Sequence, residues 1–124
     1  ELYNVAAAFE RHADFDVIHY QGAYFPMSAA FSRLCPVPVV QTIHHQPVPG
    51  ELRLFQRYPQ THYVVLSQYH ASAMTDLPNV HTVMHGLDTH NFPLGESPED
   101  YLVFLGRFTP GKGALAAMPP GEAN

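Results

Sequence analysis

Residues 106–113 have the composition of a loop that binds a phosphate group. The loop holds three glycines together with Arg107 and Lys112, the only lysine or arginine residues in the second half of the chain. Glycines let backbone amides approach a ligand closely, and the two cations could neutralise a phosphate or diphosphate group. The apolar run at residues 101–105 precedes this loop and is typical of a strand buried on both faces. We therefore expect a strand that leads into a loop that binds a phosphate or diphosphate group.

The nine histidines are the second group of side chains that could do chemistry. His44 follows an apolar run directly and is the main candidate, with His45 and His19 as further candidates. No His-Glu-x-x-His motif and no cluster of acids or cysteines accompanies the histidines, so the sequence predicts no metal site. Five further histidines are interpreted as surface, strand-end or linker residues: His12, His62, His70, His81 and His90.

Apolar periodicity predicts the elements that would position these residues. Strands are expected at residues 17–20, 37–43, 62–66, 79–84 and 101–105, and helices at 2–11, 24–34, 51–58 and 68–74. Because strands and helices alternate at short spacing, the predicted fold class is α/β, a Rossmann-like parallel sheet with flanking helices on both faces.

The predicted topology collects several candidates at one edge of the sheet, because ligands of open α/β sheets bind beyond the carboxyl ends of the strands. The segments expected at this edge are residues 19–22, 44–45, 67, 85–88 and 106–113.

Ser67 is one of these candidates. It lacks the Gly-x-Ser-x-Gly turn of a nucleophile and is interpreted as a helix N-cap.

Composition excludes several classes of protein. The 124 residues suffice for one domain, and a net charge of −5 with six lysines and arginines argues against a nucleic-acid-binding surface. The single cysteine, Cys35, is interpreted as a small core residue and fits a reducing compartment.

No apolar run approaches the ~20 residues of a transmembrane helix. These features predict a cytoplasmic protein, with peripheral membrane contact left open for a longer chain. Because the first residue is Glu1, we expect a processed start or a piece of something longer.

Five short motifs, in this order, resemble those of family-four glycosyltransferases of the GT-B fold. They are Asp16-Val-Ile-His19, Thr42-Ile-His44, Val65-Leu-Ser67, His85-Gly86-Leu87-Asp88 with Phe92, and Leu105-Gly106-Arg107-Phe-Thr-Pro-Gly-Lys112-Gly113. The resemblance implies two Rossmann-like domains that face each other across a cleft. It also implies sugar transfer from a nucleotide-sugar donor to an acceptor with retention at the anomeric carbon. The donor is a substrate, and no metal or other cofactor is implied.

The resemblance assigns roles to individual residues. His44 matches the histidine near the reacting carbon of the sugar, and Gly106, Arg107 and Lys112 match the site for the donor's diphosphate. Gly86 and Asp88 match the Asn-Gly-Val-Asp turn that closes the first domain, with His85 and Leu87 in place of Asn and Val. The implied domains are residues 1–88 on the acceptor side, a linker at 89–100, and the truncated start of the nucleotide-sugar-binding domain at 101–124.

The chain also departs from the family pattern. The family's first glycine-rich segment would precede Glu1, its Glu-x7-Glu pair would follow Asn124, and the helix after Lys112 is expected to stop at Pro119. We therefore expect little or no transferase activity from this chain alone. Three alternatives stay open. They are a non-catalytic Rossmann-like fragment, a metal-dependent hydrolase, and a P-loop-like nucleoside triphosphatase in which Gly113 replaces the usual Ser or Thr.

Overall fold

The computed structural model describes residues 2–22, 27–97 and 99–118. The chain divides into two compact units, Glu1–Leu87 and Asp88–Asn124. The first unit contains a four-stranded sheet whose neighbouring strands are all parallel, in the order β1-β2-β3-β4. The strands are β1 (Ile18–Tyr20), β2 (Val39–Ile43), β3 (His62–Val65) and β4 (Val80–Thr82).

The described residues form four α-helices beside this sheet: α1 (Leu2–Glu10), α2 (Met27–Phe31), α3 (Pro49–Arg57) and α4 (Gln68–Ala71). A 3-10 helix, His12–Asp14, follows α1. The predicted start of α2 at Tyr24 lies outside the described residues. Among the described residues, no helix is both long and apolar enough to cross a bilayer.

The parallel sheet with flanking helices confirms the predicted α/β, Rossmann-like fold class. Each of the first four predicted strands is present, although each is shorter than expected at one or both ends. The runs form strands because their β-branched and aromatic residues, such as Val39, Ile43 and Tyr63, fit a pleated and half-buried surface.

The core lies on one face of the sheet. The register pairs Ile18 with Val39 and Ile43 with Val65, and partners in a parallel ladder project to the same side. One buried cluster joins α2, α3 and the segment after α4 to β2 and β3, and a second joins α1 to β1 and β2. The first cluster contains Ala29, Ile43, Phe55, Tyr63, Val65, Met74 and Leu77, and the second contains Val5, Phe9, Ile18 and Val39.

The expectation of helices on both faces is wrong for the described residues, because all four α-helices contribute side chains to the clusters on this one face. The strand order gives the physical reason. Each successive strand is added on the same side of the previous one, and right-handed crossovers then place every connecting helix on the same face. Helices cover both faces only where the direction of strand addition reverses.

The opposite face of the sheet, which we call the second face, is rich in histidine. Alternation along the strands assigns six residues to it: His19, Val40, Thr42, His62, Val64 and His81. Thr42 is buried, His19 and His81 are exposed, and the other three are half-buried. The second face is therefore more polar and more accessible than the core face.

The second unit has short 3-10 helices at Thr89–Asn91, Pro110–Lys112 and Leu115–Ala117. The predicted fifth strand is wrong, because residues 101–105 are in no strand in the described part of this unit. Their side chains are mostly exposed, and Leu105 reaches 98%. The apolar pattern is suited to burial, but a strand also needs a hydrogen-bonded neighbour, and none of the described residues of this unit supplies one.

Candidate functional site

His44 lies where the chain leaves β2, at the carboxyl edge of the sheet. Its ring stacks on that of His85, which follows β4, with the ring centroids 6.2 Å apart and an interplanar angle of 22°. Both residues are exposed. Among the described residues, the His44 side chain makes this ring contact but no hydrogen bond, so its two ring nitrogens can face a ligand.

His45 differs from His44 because a buried carboxylate holds it. The Nε2 atom of His45 lies 3.0 Å from both carboxylate oxygens of Glu51, whose side chain is 7% exposed. Glu51 also accepts a hydrogen bond of 3.0 Å from the backbone N–H of Val48 and so caps the first turn of α3. This network fixes the loop after β2, and it leaves His44 as the less constrained histidine of the pair.

His19 lies within β1 and not beyond its carboxyl end. Its side chain is on the second face, where Nε2 is 2.7 Å from the Thr42 hydroxyl oxygen of β2. The sequence predicted that His19 and His44 lie together at the carboxyl edge of the sheet, and the structure does not bring them together there. The reason is the pleat, which sends a residue within a strand to a face of the sheet and not to its end.

Ser67 and Asp88 are caps. The Ser67 hydroxyl accepts a hydrogen bond from the His70 backbone N–H at 3.2 Å, which confirms the predicted N-cap of α4. Asp88 accepts bonds from the His90 backbone N–H at 3.1 Å and the Asn91 side-chain amide at 2.8 Å, and so begins the 3-10 helix Thr89–Asn91. Gly86 lies in the exposed segment between β4 and Asp88, with open space around its Cα.

The predicted diphosphate loop lies in the second unit. Arg107 and Lys112 are exposed, and Lys112 ends the 3-10 helix Pro110–Lys112. Gly113 has a φ of 69°, a left-handed conformation that glycine adopts without strain. A Cβ atom on Gly106 would lie 3.2 Å from the Phe104 ring, so this position favours a small residue.

The strand and the α-helix that flank a P-loop are missing around this loop in the described part of the second unit. A 3-10 helix, Leu115–Ala117, takes the place of the α-helix expected after Lys112. The expected end of that helix at Pro119 lies outside the described residues. A P-loop binds phosphate with backbone amides held between a strand and a helix N-terminus, so the loop does not have that geometry.

The described part of the second unit also contains an open apolar cavity of about 590 Å³. Aromatic and aliphatic side chains line it, among them Phe104, Phe108, Leu115 and Met118. A phosphate group needs hydrogen-bond donors or cations, which such a lining does not supply.

Sequence reasoning missed one pair of side chains on the second face. The Nδ1 atom of His62 on β3 is 3.2 Å from Nε2 of His81 on β4, and the two rings meet edge to edge, with centroids 5.4 Å apart and an interplanar angle of 23°. The two residues are 19 positions apart, and the sequence predicts only surface or strand-end positions for them. Only the strand register could have shown the contact, because it makes them diagonal neighbours on one face.

Metal-ligating residues are not gathered into larger groups in residues 2–22, 27–97 and 99–118. No cluster of three or more His, Cys, Asp or Glu residues there has the arrangement of a metal site. Cys35, the one cysteine, is half-buried beside the second core cluster, with its thiol 3.6 Å from the Val37 carbonyl oxygen.

No protein-family model matches this chain, and a search of curated proteins finds no match.

Proposed function

We propose that this chain is part of a retaining glycosyltransferase that uses a nucleotide-sugar donor, and that it supplies residues of the acceptor-side domain and the start of the donor-binding domain. The observation that carries the proposal is the position of His44, exposed at the carboxyl edge of a parallel α/β sheet and stacked on His85. Ligands of open α/β sheets bind at this edge. The order of the five sequence motifs supports the same assignment.

The chemistry of His44 suits a sugar. A neutral imidazole has one donor and one acceptor nitrogen, so it can accept a hydrogen bond from one hydroxyl group and donate one to another oxygen. His45 cannot do this equally well, because its Nε2 atom is already directed to the Glu51 carboxylate. We therefore assign the sugar contact near the reacting carbon to His44.

The donor's diphosphate is assigned to Arg107 and Lys112, with Gly106 beside them. When the glycosidic bond of a nucleotide sugar breaks, the departing diphosphate gains negative charge, and two cations stabilise that charge most strongly in the transition state. Both residues are exposed and can reach a ligand. The single cysteine supports a cytoplasmic location, where such donors would be encountered.

Calorimetric titration with UDP-, GDP- and ADP-linked hexoses tests this assignment. We expect weak, saturable binding of one of them, with little or no turnover by this chain alone. His44→Ala should weaken binding, whereas the control His90→Ala should not. Joint replacement of Arg107 and Lys112 by Ala should weaken it further, and Arg53→Ala, which removes an exposed arginine of α3, is the matched control. Binding by His44→Ala equal to that of the unaltered chain would contradict the role of His44.

A non-catalytic Rossmann-like domain is the second candidate function. One observation favours it: residues 106–113 are mostly exposed and have no flanking strand or α-helix in the described residues. The same titrations separate the two candidates. If no nucleotide sugar binds, while circular dichroism shows the folded sheet, the non-catalytic candidate is favoured.

A further inference from the structure

We propose that His62 and His81 form a two-histidine site for a late first-row divalent metal ion, with Zn²⁺, Ni²⁺ and Cu²⁺ as the chemical class. The site lies on the second face of the sheet and is independent of the proposed sugar transfer. It uses neither His44 nor any residue of the loop at 106–113.

The distance between the two nitrogens fits shared coordination. A zinc–imidazole bond measures about 2.0–2.1 Å, so two ligands of a tetrahedral ion lie about 3.3–3.4 Å apart. The Nδ1 atom of His62 and the Nε2 atom of His81 are 3.2 Å apart without a metal. The spacing of the two nitrogens therefore suits a shared ion, provided that each ring turns so that its lone pair faces a common point.

The proton balance of binding is simple. In the metal-free pair, one ring donates an N–H to the other ring's lone pair, which requires at least one neutral imidazole. When both rings are neutral, that proton moves to the remote nitrogen of the same ring, through water. Both facing nitrogens then present lone pairs to the ion, and no proton is released.

The backbone preorganises the pair. His62 and His81 belong to adjacent strands, and the register that pairs Val64 with His81 makes them diagonal neighbours. His81 is exposed and His62 is half-buried, so an ion can enter from solvent and keep water at its other positions. Imidazole suits zinc, nickel and copper, whereas Mg²⁺ and Ca²⁺ require oxygen ligands.

Calorimetric titration of the unaltered chain with Zn²⁺ or Ni²⁺ alone, near neutral pH, is the first test. We expect saturable binding of one ion and a higher melting temperature in its presence, because the ion binds only the folded pair. His62→Gln and His81→Gln should each lose the saturable binding. His19→Gln, on the same face, and His90→Gln, in the second unit, should keep it, and Mg²⁺ should give no heat of binding.

Paramagnetic broadening identifies the ligands without any substitution. Substoichiometric Cu²⁺ should broaden the ring signals of His62 and His81 before those of the other seven histidines. The proposal is overturned if broadening spreads evenly over the histidines, if both glutamine variants bind like the unaltered chain, or if no Zn²⁺ or Ni²⁺ binds.

Discussion

Two apolar segments of this chain, residues 62–66 and 101–105, read alike in sequence but differ in structure. The first forms β3, where Tyr63 and Val65 are fully buried against helices of the same unit. The second forms no strand, and Leu102, Val103 and Leu105 are more than three-quarters exposed. The difference shows that an apolar run can be buried, but that it is buried only where neighbouring strands and helices cover it.

The largest effect should come from deleting one core ring in the first unit. Phe55 is 1% exposed, and its ring centroid lies 4.6 Å from that of Tyr63. Phe55→Ala should lower the free energy of unfolding by about 3–5 kcal/mol, since it removes buried surface and leaves a cavity. Leu105→Ala, the matched deletion in the exposed segment, should change it by less than about 0.5 kcal/mol. Urea denaturation measures both values.

Equal losses for these two variants would show that residues 101–105 are as well packed as the sheet, and the comparison would fail. If Phe55→Ala does not fold, Phe55→Leu provides a milder deletion whose cost should still exceed that of Leu105→Ala.

The first unit should also lose stability at alkaline pH, because of Tyr63. Burial raises the pKa of Tyr63 from 10.0 to about 12. Between these values the unfolded chain loses this proton first, so the folded state is stabilised below pH 10 and loses that contribution as the pH rises to about 12. The contribution lost over this pH range should be about 2–3 kcal/mol.

Urea denaturation from pH 9 to pH 12 of the unaltered chain and of Tyr63→Phe measures this loss. Tyr63→Phe should have a flatter stability curve, because the remaining tyrosines are present in both proteins. Identical slopes would contradict the burial of the Tyr63 hydroxyl.

The loss of stability on removing a helix cap should be smaller, and it should differ between the two units. Glu51→Ala should cost about 1–2 kcal/mol, because it removes the acceptor for the Val48 N–H and the partner of His45 at the start of α3. Asp88→Ala removes the cap of an exposed 3-10 helix and should cost less than about 0.5 kcal/mol. Thermal unfolding followed by circular dichroism compares them. A larger loss of stability for Asp88→Ala than for Glu51→Ala would contradict this ranking of the two caps.

Much of the fold could be predicted because its determinants are local. The strands at Val39–Ile43 and His62–Val65 follow from β-branched and aromatic runs bounded by turn residues, and the Ser67 cap follows from a serine before a helical pattern. The position of His44 follows from its place directly after a strand. These features need only a few neighbouring residues to be recognised.

The features that could not be predicted depend on how strands are arranged in space. The single helix layer follows from the strand order, and the His62–His81 contact follows from the β3–β4 register. The spacing of residues along the chain reveals neither the strand order nor the register. The placement of His19 on a face, beside Thr42, depends on where the short β1 strand begins and ends.

The most direct test of the proposed function is an NMR titration that shows which residues meet a nucleotide sugar. We predict that a bound donor shifts the ring signals of His44 and His85 at the carboxyl edge of the sheet, while those of His62 and His81 stay unchanged. His44→Ala should abolish the shift at His85. Saturating donor that leaves the His44 and His85 signals unmoved would contradict the assignment of the sugar site to this edge.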